Sequence, residues 1–267
     1  MKWLNHGMYM IPDTYPHEEV RIQNFPWMGR CLFAKWTENF DCAEETQFWY
    51  IIKDDIFDIN SVNAKKRYEI KKGIKHFYVN EINDLSLVDD VYSVHLESLS
   101  GYGKQRVTAP KKDEFDKWTR YSIQRRDCVL FGVFDRDDDR LCGYSACFLR
   151  GKYIPISSLK TRVSCEARNV NFALLYGIIE HFAEELSNGC YLCDGTRNVL
   201  HETNFQDFLM KYFGFRRAYC ELKLRYRGCM KLFIYIIFPF RKALGKLGIR
   251  ELDALLRQHA YSKGLSE

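Results

Sequence analysis

A short polar segment in the C-terminal half of the chain holds side chains suited to proton transfer and to ligand binding. Its sequence from position 194 is DGTRNVLHETN, which includes Asp194, Arg197, His201 and Asn204. Carboxylates and imidazoles accept and donate protons in enzyme active sites, and histidine has an ordinary pKa close to neutral pH. We therefore expect Asp194 and His201 to be catalytic. Arg197 and Asn204 are expected to bind substrate.

The same residues also have structural interpretations. Asp194 before a glycine is typical of a turn, and His201 would then be a solvated turn residue. Asn204 is suited to cap a helix that begins beside it. The clustering of polar groups in one short segment favours a functional site over these separate interpretations. For each single residue both interpretations stay open.

Apolar periodicity predicts the helices and strands that must position this segment. The predicted helices are 64–77, 85–98, 113–125, 173–187 and 203–212. The predicted strands are 30–37, 47–54, 77–82, 128–134, 141–149, 152–163, 190–193 and 215–225. The strands at 30–37 and 47–54 flank a polar loop, which predicts a hairpin, and those at 128–134 and 141–149 predict a second hairpin around an acidic turn.

Composition limits the class of protein. The chain has 267 residues, of which 46% are hydrophobic, so it can bury a sizeable core and is not a disordered protein. The formal net charge of +5 is a mild excess. A nucleic-acid binder usually concentrates its positive charge more strongly. The sequence contains no P-loop, GxSxG or HExxH motif.

Ten cysteines occur in the chain, and we expect them to be free thiols. The first residues, MKWLNHGMYM, lack the basic segment and apolar run of a signal peptide, which predicts a reducing, cytoplasmic location. Cys190 and Cys193 have CxxC spacing, but a strand directs two such side chains to opposite faces. We expect them to be small buried apolar side chains rather than metal or redox ligands, and no metal is predicted.

The predicted helix at 64–77, AKKRYEIKKGIKHF, is strongly basic. A solvated helix surface is one interpretation of these charges. Contact with CoA phosphates, with tRNA or with an anionic glycan precursor is the other. Arg67 lies one helical turn before Lys71, and we expect its side chain to point into a cleft and bind substrate.

The C-terminal tail differs from the rest of the chain. An apolar run of seven residues precedes Pro239, and basic residues follow it. This run is too short to span a bilayer, but a helix lying on a membrane surface has such a composition. A helix packed on the sheet is the other interpretation. In the first of these two interpretations, the tail makes peripheral contact with the inner face of a membrane.

The order of the predicted elements resembles that of the GNAT acyltransferase superfamily. A hairpin and a third strand lead to a helix that begins after Asn169, the helix leads to a strand that ends at Asp194, and a last helix ends in Gly214–Phe215. The basic helix also resembles a segment of the Fem-type peptidoglycan aminoacyltransferases, which share that fold. The resemblance covers roughly residues 60–225. The fold alone does not define the acceptor.

This resemblance implies an α/β fold with a mixed, twisted sheet and helices on both faces. It also implies that the turn before the helix contacts the pyrophosphate of acyl-CoA, which makes Arg162, Arg168 and Asn169 the expected cofactor contacts. That turn contains no glycine here, although glycine eases the approach of backbone amides to phosphate. Fem-type enzymes also lack the glycine pattern and use aminoacyl-tRNA. Met210 stands where many GNAT enzymes have a tyrosine that acts as general acid.

The expected organisation is an N-terminal β extension at 1–59, a GNAT-like domain at 60–227 and a C-terminal helical tail at 228–267. The expected function is transfer of an acyl or aminoacyl group from acyl-CoA (acetyl-CoA) or aminoacyl-tRNA to an amine. The acceptor is expected to be a small molecule or a glycan or peptidoglycan precursor, attacking the donor directly. The alternative is a catalytically degenerate module of the same fold that binds a glycan precursor or a membrane surface.

Overall fold

Ten strands and nine α-helices make up the described part of the chain. The computed structural model describes residues 1–22, 25–101, 108–199 and 204–266. The strands are β1 (Trp3–Asn5), β2 (Tyr9–Pro12), β3 (Phe33–Glu38), β4 (Phe48–Lys53), β5 (Phe77–Glu81), β6 (Cys128–Asp135), β7 (Leu141–Phe148), β8 (Tyr153–Thr161), β9 (Tyr191–Thr196) and β10 (Arg216–Tyr226). The helices are α1 (Ala64–His76), α2 (Val88–Ser100), α3 (Lys112–Gln124), α4 (Val170–His181), α5 (Ala183–Ser187), α6 (Phe205–Phe213), α7 (Cys229–Ile237), α8 (Arg241–Gly245) and α9 (Arg250–Tyr261).

These elements are divided between two compact units. The first unit contains residues 1–52, 195–206 and 216–267. The second unit contains residues 53–194 and 207–215. Each unit is therefore assembled from segments that are distant in sequence.

The second unit is built on a mixed sheet with the strand order β9-β8-β7-β6-β5. Strands β5 to β8 pair antiparallel with their neighbours, whereas β8 and β9 pair parallel and are connected through α4. Leu130 and Phe131 are adjacent on β6, so their side chains point to opposite faces. Leu130 packs in a cluster with Phe115 of α3, and Phe131 contacts Phe182 at the end of α4. Helices therefore cover both faces, and the predicted mixed α/β sheet is confirmed.

Helix α1 packs closely on the beginning of α4 in the second unit. A Cβ atom at Gly73 would lie 2.6 Å from the backbone oxygen of Asn169, so only glycine allows this approach. Asn63 caps the start of α1, and its side-chain oxygen accepts a hydrogen bond from the backbone N–H of Lys66 at 3.0 Å.

The first unit has the strand order β1-β2-β3-β10-β4. The predicted strands at 30–37 and 47–54 exist as β3 and β4, but the predicted hairpin between them is wrong. β10 lies between them, with Leu222 opposite Thr37 and Tyr219 opposite Trp49. Both strands run antiparallel to β10, so they run parallel to each other, which a direct hairpin does not allow.

The C-terminal helices belong to the first unit. Ile234 of α7 and Leu255 and Leu256 of α9 are buried against Phe33 of β3. One side of the tail thus packs on the sheet of its own unit. Among the described residues, no helix combines the length and the apolar composition needed to cross a bilayer.

Candidate active site

The parallel strands β8 and β9 of the second unit stop pairing with each other towards their carboxyl ends. Their ladder consists of Tyr153 with Tyr191, Ile154 with Leu192, and Pro155 with Cys193. Beyond Pro155, β8 continues to Thr161 in pairing with β7. Ligands of open α/β sheets bind outside the carboxyl ends of strands that diverge in this way. We call this region of β8, from 156 to 161, the open segment.

A β-bulge lies within the open segment. Lys160 is opposite Tyr144, but Ser157 is opposite Ala146, so two residues of β8 face the single Ser145 of β7. Ser158, one of these two, has a φ of +55°, which is uncommon for a residue with a side chain. Bulges occur frequently beside active sites, where they redirect backbone and side-chain groups. The open segment therefore presents an irregular backbone at the place where β9 has diverged.

Asp194 directly follows the last residue of β9 that pairs with β8. Cys193 is buried, whereas Asp194 is half-buried. The sequence prediction that Asp194 ends a strand is therefore correct to within a short extension, since β9 continues to Thr196. Asp194 is thus the first residue of β9 beyond its pairing with β8.

His95 of α2 is a second titratable residue near β8, and the sequence analysis did not single it out. Its Nδ1 atom lies 2.7 Å from the hydroxyl oxygen of the fully buried Tyr144. Burial and the nearby charge of Lys160 lower the pKa of His95 below its ordinary value. The imidazole is therefore neutral at neutral pH and is able to accept a proton.

The sequence contains one signal for His95. It follows Val91 and Val94 on the apolar face of a predicted helix, where a histidine needs a partner. That partner, Tyr144, is distant in sequence, and the ring of Phe115 lies 4.7 Å from the imidazole. The same contacts also fit a histidine whose role is to complete the core of the second unit.

Arg162 and Ser164, in the turn between β8 and α4, already form hydrogen bonds to other protein groups. Arg162 is buried, and its guanidinium donates to the backbone oxygen of Leu141 at 2.8 Å, to Glu97 at 2.8 Å and to Ser93 at 3.2 Å. The backbone N–H and the hydroxyl of Ser164 both donate to Glu97, at 3.2 and 2.6 Å. A carboxylate thus already accepts from the backbone amide of Ser164 in this turn.

The pKa of Glu97 reflects these hydrogen bonds. Burial opposes the charged form of Glu97, but the hydrogen bonds from Ser164 and Arg162 outweigh it and lower the pKa to about 2. Glu97 is therefore ionised throughout the neutral range. Its negative charge disfavours a phosphate at the same amides.

Arg168 and Asn169 also have protein partners at the beginning of α4. Arg168 forms a two-pronged ion pair with Asp135, with one N–O distance of 3.0 Å, and the pKa of Asp135 is lowered by it. It also contacts Asp137 at 3.1 Å. The side-chain amide of Asn169 donates to the backbone and the carboxylate of Glu69 at 2.9 and 2.7 Å. These two adjacent residues bind acidic and carbonyl groups of the second unit.

Arg67 is half-buried on α1, and its guanidinium donates to the backbone oxygen of Asn60 at 3.3 Å. On the same helix, Lys72 donates to the backbone oxygen of Ala167 at 2.9 Å. Lys65, Lys71 and Lys75 are exposed. The basic helix therefore combines residues that hold neighbouring backbone with residues whose charge faces solvent.

The other predicted substrate residues belong to the first unit. Arg197 donates to the backbone oxygen of Gln47 at 2.8 Å, and its guanidinium lies over the rings of Trp49 and Tyr261, at 4.4 and 4.1 Å. Asn204 is exposed just before α6. His201 lies outside the described residues.

Cys190 and Cys193 do not face a common site. Cys193 is buried, and Cys190 is half-buried with its thiol near the backbone oxygen of Gly151. Within the described ranges, no group of three or more His, Cys, Asp or Glu side chains is arranged to hold a metal ion.

No protein-family model matches this chain, and no curated protein sequence matches it. Similar solved structures include L-PGS from Bacillus licheniformis, 14% identical with a TM-score of 0.48 over 78% of this chain, and FemX, 9% identical with a TM-score of 0.48 over 64% of this chain. PaiA N-acetyltransferase from Thermoplasma acidophilum, in complex with coenzyme A, is 11% identical with a TM-score of 0.32 over 41% of this chain and 73% of its own. The alignments with L-PGS and FemX span 66% and 59% of those two proteins. The structures similar to this chain thus include a Fem-type protein and an N-acetyltransferase.

Proposed function

We propose that the second unit transfers an acyl or aminoacyl group to an amine. The observation that supports this most is the opening between β8 and β9, with the bulge of Ser158 in the open segment. An extended, amide-containing arm can lie along a diverging strand and bond to its backbone as an added strand would. Backbone N–H groups redirected by a bulge can stabilise negative charge on a carbonyl oxygen during acyl transfer.

The proposed reaction is direct attack of the acceptor amine on the donor carbonyl. A C–N bond forms, the C–S bond of a thioester or the C–O bond of an aminoacyl ester breaks, and the leaving group takes up a proton. A base must accept one proton from the attacking amine. Asp194 is the proposed base or orienting group because it stands at the opening, and His201 remains a proposed partner from the segment after it.

His95 is a further candidate for this base. Its neutral imidazole and its hydrogen bond to Tyr144 are suited to proton transfer. Lys160, the neighbour that helps to keep it neutral, belongs to the open segment itself. A proton-accepting group is thus available on the helix that packs against β8.

The donor is acyl-CoA or aminoacyl-tRNA. Arg162, Arg168 and Asn169 remain the proposed phosphate contacts, but a pyrophosphate would have to displace Glu97, Asp135 and Glu69 from them. Displacing buried charge-assisted hydrogen bonds is costly. This arrangement favours a donor that engages the open segment without using the turn, such as an aminoacyl ester.

The acceptor is an amine on a small molecule or on a glycan or peptidoglycan precursor. The exposed lysines of α1 favour an acceptor or donor that carries negative charge. Arg67 on this helix is the proposed substrate contact of the second unit. Arg197 and Asn204 remain proposed substrate contacts that belong to the first unit.

A second function is binding of a glycan precursor without catalysis. One observation favours it, namely that the turn before α4 is already occupied by the carboxylate of Glu97. A protein of this fold that no longer binds an acyl donor does not need groups in this turn that are free to contact phosphate.

Transfer and binding assays distinguish these functions. The full chain is incubated with labelled acetyl-CoA or with labelled aminoacyl-tRNA and a set of amine acceptors. Thermal unfolding is followed separately with acetyl-CoA, with CoA and with a glycan precursor. We expect labelled amide product with one of the two donors. A ligand that binds the folded state raises the melting temperature by mass action. Absence of product with both donors, together with a stabilising glycan precursor, would support the binding module instead.

A further inference from the structure

The C-terminal tail carries several exposed apolar side chains, most of them on α7 and just after it. Ile234 points inward from α7 and is 1% exposed, whereas its neighbours Tyr235 and Leu232 are 79% and 62% exposed. The same exposure continues past α7 to Phe240. We define the tail surface by its exposed apolar residues, which are Leu232, Phe233, Tyr235, Ile236, Phe240, Leu247 and Ile249. Contiguous exposed apolar residues usually mark an interaction site.

The chain segment that carries the tail surface contains charges of one sign, and acidic residues begin again only with Glu251 of α9. From Leu222 to Arg250 the sequence contains no aspartate or glutamate. The basic residues of that stretch are Lys223, Arg225, Arg227, Lys231, Arg241, Lys242, Lys246 and Arg250. Lys231, Lys242 and Lys246 are exposed, and none of the three forms an ion pair within the part of the chain that the structure describes. Their positive charge is therefore available to a partner.

A groove beside α7 has the same composition. It has a volume of about 920 Å³, and Tyr226, Tyr235 and Phe238 line it together with Lys231 and Lys263. Its aromatic walls and basic rim place apolar and cationic groups side by side. An amphiphile with a negative headgroup satisfies both.

We propose that the tail surface docks on an anionic lipid bilayer. Apolar side chains of a surface helix enter the boundary between headgroups and acyl chains, and flanking lysines and arginines bind the negative headgroups. A second copy of this chain would bring like charges together, and a nucleic acid would leave the apolar side chains in water. The lipid surface is the partner that uses both features. This inference does not depend on the proposed transferase activity.

Vesicle flotation with the full chain tests this proposal. Neutral phosphatidylcholine vesicles are compared with vesicles that also contain phosphatidylglycerol. We expect binding to the anionic vesicles and a loss of that binding as the salt concentration rises, because salt screens exposed charges. The triple variant Lys231→Glu, Lys242→Glu, Lys246→Glu should reduce binding by more than about tenfold.

Apolar and control variants complete the test. Leu232→Ser with Ile236→Ser should also reduce binding, while Lys117→Glu on α3 and Tyr68→Ser on α1, where both residues are exposed, should leave it unchanged. Circular dichroism melts verify folding of every variant. Equal binding to neutral and anionic vesicles, no binding to either, or control variants as damaging as tail variants would overturn the proposal. So would a dimer in solution that the tail variants dissociate, since the tail surface would then belong to a second copy.

Discussion

At the residue scale, the carboxylate of Asp194 is central to the proposed reaction. Asp194→Asn keeps the shape of the side chain and removes its ability to accept a proton. We expect the transfer rate to fall by about 10²- to 10⁴-fold, the usual effect of losing a general base. Initial rates with the active donor measure this. Asp90→Asn is the matched control, because Asp90 is exposed on α2.

The Asp194 prediction has a clear contrary outcome. If Asp194→Asn and Asp90→Asn both retained the wild-type rate, Asp194 would not be the base. A melting temperature measured for each variant separates loss of catalysis from loss of folding.

His95 makes a prediction about pH. Its pKa is lowered in the folded protein by burial and by Lys160, so the unfolded chain binds a proton more readily. Stability from this group is therefore complete above the ordinary histidine pKa and is lost as the pH falls through it towards the lowered value. Urea unfolding at several pH values should show a smaller acid loss for His95→Gln than for the wild type. Parallel pH curves for the two proteins would refute the lowered pKa.

Glu97 makes a prediction about anion binding. Glu97→Gln removes the negative charge that accepts from Ser164 and Arg162. We expect the variant to bind CoA more tightly than the wild type does, because one negative charge beside the turn is removed and Arg162 loses its carboxylate partner. Isothermal titration with CoA measures the affinity, and Glu180→Gln on the far part of α4 is the control. Unchanged or weaker CoA binding would show that Glu97 does not exclude phosphate.

Sequence reasoning reached some of these residues and not others. Asp194 could be predicted from the sequence, because a strand followed by a glycine predicts a chain reversal at a sheet edge. His95 and Glu97 were not, because their roles depend on Tyr144, Arg162 and Ser164, which are distant in sequence. Arg162 and Arg168 lie beside α4, but a sequence does not reveal the acidic partners that fold onto them.

At the element scale, the bulge of β8 is the feature on which the proposed donor site depends. Deleting Ser158 should remove the extra residue and restore regular pairing between β7 and β8. We expect transfer to fall strongly while the fold is kept. Ser158→Gly is the matched control, since glycine adopts a positive φ without strain and should leave stability within about 1 kcal/mol of the wild type.

Transfer assays and urea unfolding on the same samples decide this prediction. Full activity in a stable Ser158 deletion would mean that the bulge does not contribute to the reaction. Low activity in Ser158→Gly would point to the hydroxyl rather than to the backbone.

Elements themselves were largely predictable, whereas their pairing was not. The predicted helix at 173–187 is two helices, α4 and α5, separated at Phe182, and apolar periodicity does not detect so short a break. The strands β3 and β4 were found by composition. The predicted hairpin between them is wrong because β10, which comes from much later in the sequence, pairs with both strands.

At the scale of the whole molecule, the chain folds as two units that each combine distant segments. The segment DGTRNVLHETN is divided by this arrangement, with Asp194 in the second unit and Arg197 and Asn204 in the first. Local periodicity carries no information about such a division, because it reports only neighbours along the chain. We still propose, from the sequence, that residues 60–227 form the acyltransferase domain.

Hydrogen–deuterium exchange on the full chain tests the central claim most directly. Acetyl-CoA and aminoacyl-tRNA are each added at saturation, and exchange is compared in the open segment, residues 156–161, and in the reference strand β6. The account predicts slower exchange in the open segment with the donor that supports transfer, and no change in β6. A donor that supports transfer but leaves the exchange of residues 156–161 unchanged would contradict it.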